Sequence, residues 1–148
     1  MLAAVLAQWG LSSHLAYGPA TPDFVLLAVV AVGLLRGAIA GLWSGFGAGM
    51  LMGSLHGRGM TQLILSGVLV GYLSGAVRGG LRLEHRWAAP VAVAVLTVVG
   101  QVAFWLLWRR LPLWSGMSEV AAGAAYNGAL MVVLFPLLAR AMRPIEGT

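Results

Sequence analysis

Long apolar runs, each about as long as a bilayer is thick and nearly free of charge, leave this chain one solvent in which to fold. Met60 to Val77, Trp87 to Trp108 and Glu119 to Ala139 each approach the ~17–25 residues that a helix needs to cross the hydrocarbon layer. Between and within them the 148 residues include nine arginines, no lysine, three glutamates and one aspartate. Charged residues make up 9% of the chain, where a soluble domain carries roughly a quarter. That is too little polar surface to clothe a water-soluble globule. The expectation is an all-α integral membrane protein forming a single transmembrane domain over residues 1–148. About six helices are expected, over approximately residues 1–17, 22–38, 41–56, 60–77, 87–108 and 119–139.

The first and second of these need argument. Residues 1–17 are interrupted by Gln8 and His14 and are closed by Gly18-Pro19 and Thr21-Pro22, which break helices. The stretch lacks the basic start and small-x-small cleavage site of a secretory signal, so it reads as a retained helix. Asp23 to Leu55 is 33 residues, which as one helix would reach roughly 50 Å. That is too long for one crossing and barely enough for two. Its only internal charge, Arg36, is tolerable near an interface where it can snorkel. The consistent reading is a tight helical hairpin turning around Arg36 to Gly41. In the fifth span Pro90 falls in the first turn, where a missing N–H costs little, and Pro136 is expected to kink the end of the sixth. Trp87, Trp105, Trp108 and Trp114 flank the fifth span and its following loop, as amphipathic rings do at a bilayer interface.

A net charge of +5 invites a nucleic-acid reading, but the arginines sit singly or in short groups between apolar runs and form no continuous basic stripe. They report topology instead. Six spans put Arg36, Arg78, Arg82, Arg86, Arg140 and Arg143 on one side and Arg58, Arg109 and Arg110 on the other. The positive-inside rule then places both termini in the cytoplasm. With no cysteine there is neither a disulfide framework nor a thiolate metal site.

Glycine spacing is the most informative local pattern. Gly33, Gly37, Gly41, Gly45, Gly49, Gly53 and Gly57 recur every four residues, and Gly67, Gly71, Gly75 and Gly79 repeat this in the fourth span. Each four-residue step advances about 400° around a helix, so the glycines form one slowly drifting ridge. A ridge without side chains lets another backbone approach closely, the small-xxx-small signature of membrane packing. Two readings follow. The ridges Gly37 to Gly53 and Gly67 to Gly75 pack the protein's own helices together, or at least one of them receives a partner's helix.

Polar groups inside the membrane are functional candidates by default. Gln101 and Asn127 lie near the middle of consecutive antiparallel helices, where an interhelical hydrogen bond is the first expectation and contact with a substrate or ion the second. His14, His56 and His85 stand near helix ends, with no metal-ligand spacing. Glu119, beside Ser115 and Ser118, suits the capped, positive end of the last helix. The run Gly41 to Gly49 superficially resembles a phosphate loop but lacks the Lys-Ser/Thr ending. No nucleophile–base–orienter set is visible. The expectation is a protein without enzymatic activity, metal or cofactor.

Several segments resemble a known family. Pro22-Asp23-Phe24-Val25-Leu26-Leu27, Leu34-Leu35-Arg36-Gly37 and Gly41-x-x-x-Gly45-Phe46-x-x-Gly49-Met50-Leu51 are similar, in order, to the rod shape-determining MreD family. So are Leu69-Val70-Gly71-Tyr72-Leu73 and Asn127 with Phe135-Pro136. The family often carries an aspartate where this chain has Gly53. The resemblance implies a non-catalytic subunit of the bacterial cell-elongation machinery, in the inner membrane and surrounded by lipid. Such a subunit binds the single-span scaffold protein MreC and assembles near the RodA glycosyltransferase and its class B penicillin-binding partner. The family also resembles in fold the substrate-binding subunits of energy-coupling-factor vitamin transporters, which makes small-molecule uptake the alternative. Short, Gly-interrupted helices suit a midplane site, whereas a vitamin pocket needs several convergent polar groups.

Overall fold

The computed structural model describes residue 10 and residues 23–57, 59–80, 87–108 and 117–141. These form five α-helices and one short 3-10 turn, with no strand among the described residues. The helices are α1 (Phe24–Arg36), α2 (Ala38–His56), α3 (Met60–Ala76), α4 (Ala88–Trp108) and α5 (Met117–Ala141), and the 3-10 turn Val77–Gly79 continues α3. Four stretches are long and apolar enough to cross a membrane: Ala38–His56, Met60–Gly79, Ala88–Leu107 and Val120–Ala141. The protein is thus a multi-pass membrane protein. The expected first span, residues 1–17, lies outside the described residues apart from Gly10.

The second expected span is realised differently from the expectation. At 13 residues α1 extends only about 20 Å, short of the ~30 Å hydrocarbon layer. Asp23 starts it, its carboxyl accepting the Leu26 N–H at 2.9 Å, as an N-capping side chain does. The turn into α2 is shorter than the expected Arg36–Gly41. It is the single residue Gly37, with φ +95°, a conformation that a Cβ disfavours. The Gly37 N–H closes α1 on the Gly33 carbonyl at 2.8 Å. At its other end α2 stops at Gly57, which is left-handed (φ +66°) and donates to the Gly53 carbonyl, as C-terminal glycines do. α5 begins at Met117, so Ser118 and Glu119 fall within its first turn instead of preceding it. An acidic residue there still suits the helix dipole. The helix continues past Pro136 to Ala141.

α1 is the central element. Leu27, Val30, Ala31 and Leu34 are buried against Val70 of α3, Ala89, Ala92, Val93 and Leu96 of α4, and Met131 of α5. Its opposite side, Val25 and Val29, meets Ala48 of α2. The outward surface is as apolar as this core. On α4, Val91, Val95, Val98, Val102 and Leu106 are all exposed at the spacing of one helical face. On α2, Ile39, Trp43, Phe46 and Met50 are exposed likewise, with Trp43 and Phe46 in edge-to-face contact. In water such a surface would drive aggregation; in lipid it is the solvated face.

Candidate functional site

The glycine ridges of α2 and α3 face each other. A methyl group placed on Gly41 would overlap the carbonyl of Gly71, and one on Gly71 the carbonyl of Gly41. Gly45 and Gly67 stand in the same reciprocal relation. One turn farther on, a methyl on Gly49 would lie 2.5 Å from the Leu63 carbonyl oxygen, and one on Gly53 2.7 Å from the Met60 Cα. Gly75 closes the other end against Gly37 and Ala38. Thus Gly37, Gly41, Gly45, Gly49, Gly53, Gly67, Gly71 and Gly75 meet within one antiparallel hairpin, backbone on backbone. Of the two readings of these ridges, internal packing describes the contacts, and no room remains between them for another helix. Where α1 meets this seam, Ser74 of α3 fills the space beside Gly33 and donates to the Gly71 carbonyl at 2.7 Å.

The second assembly is polar. Asn127 is buried (1% exposed), and its Oδ1 accepts the backbone N–H of Asp23 at 3.0 Å. Its Nδ2 reaches Thr97 Oγ1 at 3.4 Å, while Thr97 donates to the Val93 carbonyl of its own helix at 2.8 Å. The interhelical bond expected of Asn127 therefore exists, but its partners are Asp23 and Thr97, not Gln101. Thr97 and Gln101 are one turn apart on α4, and Asn127 sits beside the upper of the two. Thr97 and Asn127 both lie near the middle of their helices, so Asp23 is also at mid-depth. Measured against the spans of α4 and α5, α1 begins near their midpoint and runs from there to the end that carries Arg36.

Below that starting point is a cavity of about 250 Å³, lined chiefly by apolar side chains of α1 to α4. Among the described residues its polar lining is Asp23, Ser66 and Gln101. Ser66 donates to the Leu63 carbonyl at 3.2 Å, and no described residue hydrogen-bonds the Gln101 amide. The cavity lies on the α2-C-terminal, α3-N-terminal side of α1, away from Arg36 and Arg78, which are exposed at the opposite end.

Sequence reasoning left Asp23 out of the intramembrane polar set because it stood at the edge of an apolar run. The signal was present: it is the only aspartate in the chain and immediately precedes a helix. Thr97 carried no such signal, since a single threonine in a membrane helix ordinarily bonds its own backbone. His56 does what an end-of-helix histidine does, its Nδ1 donating to the Met52 carbonyl at 2.8 Å. Among the described residues no group of three or more His, Cys, Asp or Glu side chains is placed to hold a metal.

Comparison with known protein families, with curated proteins and with solved structures finds no match to this chain.

Proposed function

We propose that the protein is a non-catalytic subunit of the bacterial cell-elongation machinery, of the MreD type, which binds the single-span scaffold MreC beside the RodA and class B penicillin-binding synthase. It would sit in the inner membrane with six spans and both termini in the cytoplasm. One observation carries this reading. The segments that resemble the family, Leu34 to Gly37, Gly41 to Leu51 and Leu69 to Leu73, are those that build the glycine-sealed hairpin and its junction with α1. The likeness thus takes in the glycines of the seam together with outward-facing residues such as Leu51 and Leu69. A rigid hairpin with apolar outer faces suits a protein whose work is to hold other membrane helices, since such contacts depend on close, stable packing surfaces.

The alternative is a small-molecule binding subunit of an energy-coupling-factor type transporter, and the cavity beneath Asp23 is what favours it. Co-purification from native membranes in mild detergent separates the two. Recovery of the MreC, RodA and penicillin-binding proteins supports the scaffold; recovery of transporter ATPase subunits refutes it in favour of uptake.

A further inference from the structure

We propose that the cavity beneath α1 binds a small primary amine with an apolar body, its ammonium held by the Asp23 carboxylate and the Gln101 amide oxygen. This goes beyond the scaffold reading and does not depend on it.

Asp23 places a carboxyl group on the cavity wall with no basic side chain beside it among the described residues. A carboxylate at mid-depth in a membrane is normally paired with a basic group or faces a polar cavity. Among the described residues no arginine lines this cavity, and Arg36, Arg78 and Arg140 all lie near the far end of the bundle. The Asp23 carboxyl accepts the backbone N–H groups of Leu26 and Val25. That leaves it acceptor capacity at the cavity wall, since an ionised carboxylate offers about four lone-pair sites. Gln101 adds an acceptor and two donors with no partner among the described residues.

The remaining chemistry narrows the ligand class. An anion is excluded by the carboxylate, whose repulsion is strong where the dielectric is low. A hard metal ion needs six or more oxygen ligands for calcium, or a near-octahedral set for magnesium, and two side chains do not make one. A wholly apolar guest would leave the carboxylate unpaired. An ammonium satisfies it, and the rest of the wall, with Val29, Met52 and Phe104 among its members, solvates an alkyl body. At about 30 Å³ per water-sized unit, the cavity holds a molecule of roughly eight heavy atoms.

The test uses n-hexylamine titrated calorimetrically into the full chain in phosphatidylcholine nanodiscs, with empty nanodiscs as the reference. Saturable one-to-one binding is expected. Asp23→Asn should weaken it at least about tenfold, because asparagine caps a helix as well as aspartate but carries no charge. Ser66→Leu should abolish it by filling the cavity while leaving Asp23 in place. 1-Hexanol, equal in length and uncharged, should bind at least about tenfold more weakly. The proposal is overturned by the absence of saturable binding above empty discs. Undiminished affinity in Asp23→Asn or in Ser66→Leu overturns it equally, as does hexanol binding as tightly as the amine.

Discussion

Replacing Gly45 by alanine tests the hairpin seam at one of its closest approaches, and replacing Gly47 by alanine two residues away is its control. Both sit in α2, but a methyl on Gly45 overlaps the Gly67 carbonyl, whereas one on Gly47 meets no neighbouring atom within 4 Å. The Gly67 carbonyl belongs to a helix backbone and cannot rotate aside, so α2 and α3 must part by about 1 Å. A gap of that size forfeits a quarter to a half of the dispersion attraction across the seam, and overpacking of this kind costs about 1–3 kcal/mol. Alanine also gains about 1 kcal/mol of helix propensity over glycine at either site, so that gain cancels in the comparison. Gly47→Ala should therefore be neutral or slightly stabilising, and Gly45→Ala should fall below it by about 1–3 kcal/mol. Reversible unfolding in mixed micelles, titrated with sodium dodecyl sulfate and followed by far-ultraviolet circular dichroism, reads the difference directly. Equal stability of the two variants would refute the backbone-on-backbone seam.

Further substitutions examine the turn, the polar network and the lipid face. Gly37→Ala forces a side chain into φ +95°, ψ 177°, a region open essentially to glycine alone, and should cost about 1–3 kcal/mol in the same titration. Asn127→Leu removes the acceptor of the buried Asp23 N–H and should destabilise by about 1–3 kcal/mol. Thr97→Val deletes only the long 3.4 Å contact and a local bond, and a loss of about 0.6 kcal/mol is expected; if it equals Asn127→Leu, the assignment of Asp23 as the main partner is wrong. Trp43, 65% exposed, kept as the sole tryptophan, should be quenched strongly by lipids brominated on their acyl chains, and an unquenched signal would show that something other than lipid covers that face.

How much of this was legible beforehand follows from what each pattern depends on. The helices α3, α4 and α5 were readable because a bilayer demands about 20 apolar residues per crossing and charges cluster at the ends. The glycine ridges were legible as close packing, because spacing alone places Gly41, Gly45 and Gly49 on one face. Their mutual contact was not, because spacing does not say which ridge meets which. Asn127 was recognisable as an interhelical group, but its partner depended on α1 starting at mid-depth, and that is a matter of three-dimensional placement. Nothing in the composition of Phe24 to Arg36 distinguishes a helix that crosses half a membrane from one arm of a symmetric hairpin. The distinguishing residue is Asp23.

A helix that begins within hydrocarbon must satisfy backbone N–H groups that water would otherwise serve. α1 manages this with its own first turn and one group from α5: the Asp23 carboxyl takes the Leu26 N–H, the Asp23 carbonyl takes the Leu27 N–H at 3.0 Å, and Asn127 takes the Asp23 N–H. Asp23 is thus accounted for as a cap without any ligand, and capping is a complete reason for a polar side chain at this position. It is not a reason for a carboxylate. Asparagine or serine would cap as well without placing an acid beside an apolar cavity, where ionisation is costly unless a cation stands opposite. Asp23→Asn separates the two roles in one molecule. It should leave the unfolding midpoint nearly unchanged while removing the amine, whereas Asp23→Ala should lose about 1 kcal/mol of stability as well. If Asp23→Asn is as destabilised as Asp23→Ala, the acid is needed for the cap itself, and the case for a cation in the cavity loses its premise.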